Sequence, residues 1–316
     1  MRLLVTGSSG FVGSAFVELA ESRGDTCIKH RRSSTYSSDD NIFSADLSSL
    51  TDWSLALKNI ECVVHCAAQV HQMKGVPEIE SYRRTNTEGT ISLARQAAEA
   101  GVKRFVFVSS IKVNGESTQS GSAFKSDVLV APSDPYGLSK FEAEQHLRLL
   151  SQETGMEVVI VRPPLVYGPG VKANFHSMMS WVSKGVPLPL RHSVNKRSLV
   201  FVQNLVDLLW QCTRHHNASG NTFLVSDDHD VSTSELLENI AAAMDKKVRL
   251  FYVPRGLIEV LAGLIGKQTI PNRLFGNLQV DISDTKKLLG WMPPYSMEQG
   301  LAITVKAFLT QSRAKS

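Results

Sequence analysis

The first half of the chain alternates short apolar runs with longer stretches whose apolar residues recur at helical spacing. The short runs are RLLVTG, TCIKH, ECVVHCAA, RFVFVSS and EVVIVRPP, and the longer ones include SAFVELAESRG and PYGLSKFEAEQHLRLLSQETG. Strands joined by helices of that length form right-handed crossovers in a parallel sheet that is covered on both faces. The sequence therefore predicts a Rossmann-type α/β fold with a doubly wound parallel sheet.

The alternation becomes irregular after VYGPG at 166–170. We predict a dinucleotide-binding domain over residues 1–168, to which a segment of about 197–226 returns. The remainder, mainly 169–316, is predicted to be a smaller substrate-binding domain, with helices around 231–246 and 255–266. A small ligand is expected in the cleft between two such domains.

Composition excludes several function classes. The chain has 316 residues, 42% of them hydrophobic, and a net charge of +4 without a long Lys/Arg run, so neither nucleic-acid binding nor membrane insertion is expected. The most apolar stretch, 256–266, is too short to span a bilayer. The four cysteines form no C-x-x-C pair, which predicts reduced thiols in the cytoplasm and no metal site.

The motif VTGSSGFVG at residues 5–13 lies between the first predicted strand and the first predicted helix. Gly7, Gly10 and Gly13 permit a tight turn, close approach of the backbone to a pyrophosphate and close helix–strand packing. The N-terminus of the helix supplies N–H donors to the same phosphates. Glycines also form ordinary turns, but this position in a βαβ unit favours a dinucleotide site.

The second predicted strand ends on Arg31 and Arg32 rather than on an acidic residue. A carboxylate there accepts hydrogen bonds from the adenosine ribose of NAD, whereas a 2′-phosphate requires cations. We therefore favour NADP(H), with NAD(H) possible; the alternative is that the arginines are solvated surface charges. Asp46, after the third strand, is suited either to an adenine amino group or to capping a helix.

The motif PYGLSK at 135–140 places Tyr136 and Lys140 four residues apart on one helix face. A nearby ammonium lowers the pKa of a phenol, so Tyr136 is predicted to exchange protons. Ser110, in VSSIKVNG at 108–115, follows a strand one βα unit earlier and is positioned to hydrogen-bond the same reacting oxygen.

Six motifs together resemble the extended short-chain dehydrogenase/reductase family, in the branch that acts on nucleotide-activated sugars. They are TGSSGFVG, HCAA at 65–68, TNTEGT at 85–90, SSIKVNG, PYGLSK and VRPPLVYGPG at 161–170. The resemblance covers nearly the whole chain and implies catalysis by Ser110, Tyr136 and Lys140. It makes Asn86 a structural or cofactor-side residue. It also implies a UDP-sugar substrate contacted by Ser110, Asn174 and Arg197, and a homodimer.

The motifs and the resemblance together predict one set of cofactor-binding residues. These are Gly7, Gly10, Phe11, Val12, Gly13, Arg31, Arg32, Asp46, Leu47, Ala67, Ala68, Tyr136, Lys140 and Pro163.

The family carries out several reactions, and the departures of this chain discriminate among them. Sugar-nucleotide 4,6-dehydratases carry Thr-Asp-Glu where this chain has Ser110-Ile111-Lys112. The chain therefore lacks, at these positions, the two acidic residues that would transfer protons in a dehydration. The arginines favour a 4-ketoreductase acting on a UDP-(N-acetyl)hexose. A UDP-glucose or UDP-N-acetylglucosamine 4-epimerase is the alternative. A protein that only binds dinucleotides is disfavoured because all three catalytic positions are filled.

Overall fold

The fold is described from a computed structural model of the chain, which describes residues 1–32, 41–70, 78–128, 130–191, 193–254, 256 and 274–313. The strands are β1 Arg2–Thr6, β2 Thr26–Arg31, β3 Ile42–Ser44, β4 Cys62–His65, β5 Arg104–Val108, β6 Glu157–Arg162, β7 Leu165–Tyr167, β8 Arg197–Phe201, β9 Thr222–Leu224 and β10 Asp230–Val231. The α-helices are α1 Phe11–Ser22, α2 Ile79–Tyr82, α3 Thr90–Glu99, α4 Pro135–Thr154, α5 Ala173–Ser183, α6 Val202–Cys212, α7 Thr233–Ala243, α8 Ser283–Leu289 and α9 Met297–Arg313. A π-helix, Arg83–Gly89, joins α2 to α3, and short 3₁₀ turns cover Ile111–Val113 and His216–Ala218.

Seven strands form one sheet in the order β3-β2-β1-β4-β5-β6-β9, and every pair in it is parallel. The strand order reverses direction beside β1, between β1 and β4, which is where ligands bind at the carboxyl edge of such sheets. The predicted doubly wound sheet is confirmed.

Both faces of this sheet are buried, because successive strand residues point to opposite sides. In β1, Leu3 and Val5 belong to the core that also contains residues of α1 and α6, whereas Leu4 belongs to the core that contains residues of α3 and α4. Such strands have no solvent face, which explains why they appear in the sequence as continuous apolar runs.

A second, three-stranded sheet has the order β10-β8-β7, with β7 and β8 parallel and β10 antiparallel to β8. Between β8 and β9 the chain forms α6, which packs on α1 of the main unit. Helix α7 lies within the helix predicted around 231–246. The helix predicted around 255–266 falls almost entirely outside the described residues.

The cysteines are free thiols, and three of the four are buried. In the described part of the chain, no helix is both long and apolar enough to cross a bilayer.

Candidate active site

The glycine turn after β1 requires glycine at two of its three positions. Gly7 has a φ of +65°, and its carbonyl oxygen accepts the N–H of Gly10 at 2.9 Å. A Cβ on Gly13 would overlap that same carbonyl oxygen, so no larger residue fits there. Phe11 and Val12, both partly buried, begin α1, and no described side chain caps this helix. Its first N–H groups therefore point toward a place where an anion can bind.

The segment after β4 packs directly on this turn. A Cβ on Gly7 would lie only 2.9 Å from the backbone nitrogen and Cα of Ala67. The Ala67 N–H donates to Thr6 Oγ1 at 3.2 Å, and Ala68 is partly buried beside it. Ala67 thus lies next to the glycine turn, and the assignment of Ala67 and Ala68 to the cofactor's surroundings stays a prediction.

A buried hydrogen-bond relay, formed by Thr6, His65 and Thr90, holds the glycine turn against the segment after β4. No sequence motif indicated it. Thr90 donates to the carbonyl oxygen of Asn86 (2.7 Å), so its hydroxyl oxygen accepts from Nε2 of His65 (2.9 Å). The other ring nitrogen, Nδ1, then accepts from the Thr6 hydroxyl (2.7 Å). This order requires a neutral imidazole. Consistently, burial, with smaller contributions from Lys140 and His30, lowers the pKa of His65 well below its ordinary value.

The end of β2 presents the two arginines. Arg31 is the last residue of the strand and Arg32 follows it, and both are exposed. Within the described ranges, neither guanidinium group pairs with a carboxylate. Ser8 of the glycine turn donates its hydroxyl to the carbonyl oxygen of His30 at 2.9 Å, which places the turn beside the arginines. Ser33 and Ser34, which follow, lie outside the described residues.

Asp46 and Leu47 follow β3. Asp46 is exposed, and its carbonyl oxygen accepts the Thr51 hydroxyl at 2.6 Å. No helix begins anywhere in the described residues between β3 and β4, so the capping alternative for Asp46 was wrong. Leu47 is buried, and a Cβ on Gly89 would meet its side chain at 3.0 Å.

Ser110, Tyr136 and Lys140 belong to elements that meet at the carboxyl end of β5. The Nζ of Lys140 donates to the carbonyl oxygen of Val108 at 3.0 Å, and it lies 4.5 Å from the centre of the Phe107 ring. Burial lowers the pKa of Lys140 to about 8. Ser110, two residues beyond Val108, begins the 3₁₀ turn, and its Oγ accepts the N–H of Lys112 at 3.2 Å. That bond leaves the hydroxyl hydrogen available to a ligand.

Tyr136 lies in the first turn of α4, where its partly buried ring packs edge-on against Tyr82, with centroids 6.0 Å apart. Burial raises the pKa of Tyr136, and the carboxylate of Asp134 and the phenol of Tyr82 raise it further. We predicted that Lys140 lowers the pKa of Tyr136. The protein without a cofactor does not show this lowering. The ammonium instead points at the end of β5.

Asn86 ties two parts of the site together from the buried side of the π-helix. Its Oδ1 accepts the N–H of Gln69 at 2.8 Å, and its Nδ2 donates to the Gln69 carbonyl and the Ser139 hydroxyl. The Ser139 hydroxyl in turn donates to the carbonyl oxygen of Tyr136 at 2.8 Å. Asn86 thus links the segment after β4 to the helix that carries Tyr136 and Lys140.

The sequence motifs also did not predict a buried ion pair between Glu144 of α4 and Arg162 of β6. Glu144, fully buried, accepts from Nε and Nη2 of Arg162 at 2.8 and 2.5 Å and from the Ser109 hydroxyl at 2.6 Å. The neighbour of Arg162, Pro163, is buried, and its carbonyl oxygen accepts the N–H of Ile111 at 3.0 Å. Both contacts hold the loop that contains Ser110. Arg162 at the end of the apolar run of β6 was a signal for a buried charge, but the sequence did not indicate Glu144 as its partner.

The two residues predicted to contact the sugar nucleotide lie farther along the chain. Asn174 is exposed in the first turn of α5. Arg197 is partly buried at the start of β8, where its Nη1 donates to the carbonyl oxygen of Gly276 at 3.0 Å. Their role in binding the sugar nucleotide stays a prediction.

Comparison with known proteins places the chain in a family. Residues 3–226 match the model of the NAD dependent epimerase/dehydratase family. A UDP-glucose 4-epimerase of Vibrio cholerae is 49% identical over 97% of this chain and 95% of its own length. The chain belongs to the NAD dependent epimerase/dehydratase family. The predicted resemblance is thereby confirmed, and with it the prediction that the protein is an enzyme of this kind.

Solved structures share the fold of this epimerase/dehydratase chain. A UDP-glucose 4-epimerase from Thermotoga maritima with UDP-glucose has a TM-score of 0.75 and 22% identity, covering 99% of this chain and all of the other. A UDP-N-acetylglucosamine 4-epimerase from Bacillus cereus has a TM-score of 0.78 and 21% identity, covering 98% and 99%.

Within the epimerase/dehydratase family, the turn after β5 separates this chain from the dehydratase pattern. Ile111 is buried and apolar, at 4% exposure. Lys112 carries the opposite charge to a catalytic carboxylate and forms an ion pair with Asp134 at 2.9 Å. These two positions therefore provide no carboxylate for an elimination.

Proposed function

We propose that the protein is a nucleotide-sugar 4-epimerase, which inverts the configuration at C4 of a UDP-hexose or UDP-N-acetylhexosamine. The observation that carries this proposal is the 49% identity to a UDP-glucose 4-epimerase along almost the whole of both chains. The meeting of Ser110, Tyr136 and Lys140 at one end of β5 supports it. The sequence alone favours a 4-ketoreductase, and the relatives favour the epimerase instead.

The residues around the glycine turn fit a dinucleotide. A Cβ on Gly7 or Gly13 would collide with the backbone of Ala67 or with the Gly7 carbonyl oxygen, so these glycines allow the tight turn that precedes the uncapped N-terminus of α1. We assign the diphosphate to the turn from Gly7 to Gly13, the adenosine side to Arg31, Arg32, Asp46 and Leu47, and the nicotinamide side to Ala67, Ala68, Tyr136, Lys140 and Pro163. When bound, the dinucleotide supplies the hydride acceptor for C4 and returns the hydride.

The chain's own groups handle the proton on the sugar oxygen. Tyr136 accepts the proton from O4 and returns it, acting as general base and then acid. Ser110 donates its free hydroxyl hydrogen to the same oxygen and orients it. Lys140 is a buried ammonium whose pKa is lowered to about 8, so it remains mostly protonated at neutral pH. Its Nζ donates to the carbonyl oxygen of Val108 at the end of β5, and there it would hold the ribose of the dinucleotide.

Turnover of UDP-glucose without added cofactor tests this proposal. Tyr136→Phe should lower the rate by at least about 100-fold, because positioned acid–base groups contribute at least that much. Ser110→Ala should lower it less. Tyr295→Phe, which keeps an aromatic ring against Phe201, is the matched control and should remain active. Normal turnover by the Tyr136→Phe variant would remove the proposed acid–base group.

A second candidate, a 4-ketoreductase, is favoured by one observation, the two exposed arginines at the end of β2. A reductase consumes a reduced cofactor in each turnover, and cells keep NADP(H) largely reduced. We propose that these arginines bind a 2′-phosphate and give the protein a preference for NADP(H) over NAD(H). An epimerase regenerates its cofactor, so this preference is compatible with either reaction.

The preference is tested by titrating both reduced cofactors into the wild type and into Arg31→Asp. Each guanidinium–phosphate contact contributes at most about 1.5–3 kcal/mol, and less where water screens it. The variant should lose affinity for NADPH and gain relative affinity for NADH. Arg95→Asp, which changes an exposed arginine on α3, is the control. Equal binding of the two cofactors by the wild type would make the arginines surface charges and remove the case for a reductase.

We further propose that residues 1–168, with the returning segment 197–226, hold the dinucleotide, and that most of 169–316 holds the sugar nucleotide. Asn174 and Arg197 are its proposed contacts, with Arg197 directed at the diphosphate. Arg197→Met should therefore raise the KM for UDP-glucose more than it lowers kcat. A homodimer is also proposed, and light scattering would test it.

A further inference from the structure

Lys112 contacts both elements that carry the proposed catalytic residues, the 3₁₀ turn after Ser110 and the start of the helix with Tyr136. Its backbone N–H donates to Ser110 Oγ at 3.2 Å, and its Nζ donates to Oδ1 of Asp134 at 2.9 Å. Asp134 caps α4, because its Oδ2 accepts the N–H of Gly137 at 2.8 Å. Tyr136 lies between the capping residue and Gly137.

The turn and the helix also touch through their backbones. A Cβ on Gly137 would lie 2.7 Å from the carbonyl oxygen of Lys112, so glycine allows the two segments to approach. The ion pair is partly shielded from water: the side chain of Lys112 is 32% exposed and that of Asp134 is 17% exposed. A second carboxylate, Glu116, lies 3.3 Å from the same Nζ but is 66% exposed.

We propose that Lys112 is a positioning residue that fixes Ser110 against the start of α4 and neutralises the Asp134 carboxylate beside the Tyr136 phenol. The inference rests on the proposed role of Tyr136. Among the described residues, the titratable groups that act on this phenol are Asp134, which caps its helix, and Tyr82 on α2. Lys112 on the 3₁₀ turn acts on it through the ion pair with Asp134.

The electrostatics of the two tyrosines agree with this geometry. Besides burial, Asp134 raises the pKa of both Tyr136 and Tyr82, while Lys112 lowers the pKa of Tyr82. Removing the lysine leaves the carboxylate unbalanced and disfavours the phenolate. Removing the carboxylate has the opposite effect.

Two substitutions with opposite expected effects test the proposal. Lys112→Met should shift the titration of Tyr136, and the limb of the pH–rate profile that reports it, upward by about one pH unit. Asp134→Asn should shift both downward, because asparagine still caps a helix but carries no charge. The double variant should return close to the wild-type profile, and Lys112→Arg should behave like the wild type.

The titration is followed by NMR of protein labelled at the tyrosine ring, with the Tyr136 signal assigned by its loss in Tyr136→Phe. Because the pKa of Tyr136 is already raised, the downward shift in Asp134→Asn and its reversal in the double variant are the changes to measure. This readout needs no substrate, so it remains valid if the epimerase proposal fails. Lys286→Met is the matched control, because Lys286 is 31% exposed and also pairs with an aspartate, Asp228. Unshifted titrations in both single variants, or shifts in the same direction, would show that the pair only anchors the loop and would overturn the proposal.

Discussion

The buried ion pair between Glu144 and Arg162 allows a quantitative test of how the site is held. Glu144 on α4 is 0% exposed, and its three hydrogen bonds come from Arg162 and Ser109. The remaining guanidinium nitrogen of Arg162, Nη1, donates to Asn114 Oδ1 at 3.1 Å and to the carbonyl oxygen of Ser126 at 2.8 Å. The pair therefore joins the ends of β5 and β6 to the helix that carries Tyr136.

Arg162→Met removes the cation and keeps most of the side-chain volume. It leaves a buried carboxylate with Ser109 and with Arg148, whose nearest nitrogen is 3.6 Å away. Removing one partner of a buried pair costs about 3–5 kcal/mol of the free energy of unfolding. In the double variant Glu144→Leu/Arg162→Met, neither charge of this pair is left without its partner. The double variant should therefore lose less free energy of unfolding than the two single variants together, by at least about 2 kcal/mol.

Urea unfolding followed by circular dichroism measures these differences. Arg148→Met is the control, because its pairing with Glu144 is longer and its side chain is 36% exposed; a loss below about 1 kcal/mol is expected. The pair does not hold the site in this way if Arg162→Met loses no more free energy of unfolding than Arg148→Met. The same conclusion follows if the double variant loses the full sum of the two single variants.

Three further predictions concern the glycine turn, the buried relay and the turn after β5. Gly13→Ala should abolish dinucleotide binding, while Gly10→Ala, whose Cβ would lie 3.1 Å from the Gly7 oxygen, should weaken it less; fluorescence titration distinguishes them, and equal binding by both would refute the steric argument. Because burial lowers the pKa of His65, the unfolded chain binds a proton below about pH 6.5 that the folded chain excludes, so stability should fall with decreasing pH by up to about 1.4 kcal/mol per unit. Urea midpoints that stay constant from about pH 7.5 to 5.5 would contradict this. Incubation with UDP-glucose should yield no 4-keto-6-deoxy sugar by mass spectrometry, since Ile111 and Lys112 supply no carboxylate, and its detection would reverse that exclusion.

The sheet was predictable because its strands are buried on both faces and therefore stand out as apolar runs between helices. The glycine turn and the helix that carries Tyr136 and Lys140 were predictable for a similar reason, since their residues are close together in the sequence. The relay through Thr6, His65 and Thr90 and the pair of Glu144 with Arg162 were not, because each joins distant positions whose partners only the fold reveals.

The pKa of Tyr136 shows a second limit of the sequence. The spacing of Tyr136 and Lys140 predicted a lowered phenol pKa, but spacing does not report burial or the direction of the ammonium. In the structure, burial raises the pKa of Tyr136, and Asp134 and Tyr82 raise it further. The same argument applies to Lys112, whose pairing with Asp134 spans 22 residues and has no signature in the local sequence.

Incubation of the purified protein with UDP-glucose carrying deuterium at C4, without added cofactor, tests the central claim most directly. The account predicts UDP-galactose that retains deuterium at C4, because the hydride leaves and returns within one bound complex. Absence of any C4 epimer, with NADPH consumed only when a 4-keto sugar nucleotide is supplied, would contradict the epimerase and establish the reductase in its place.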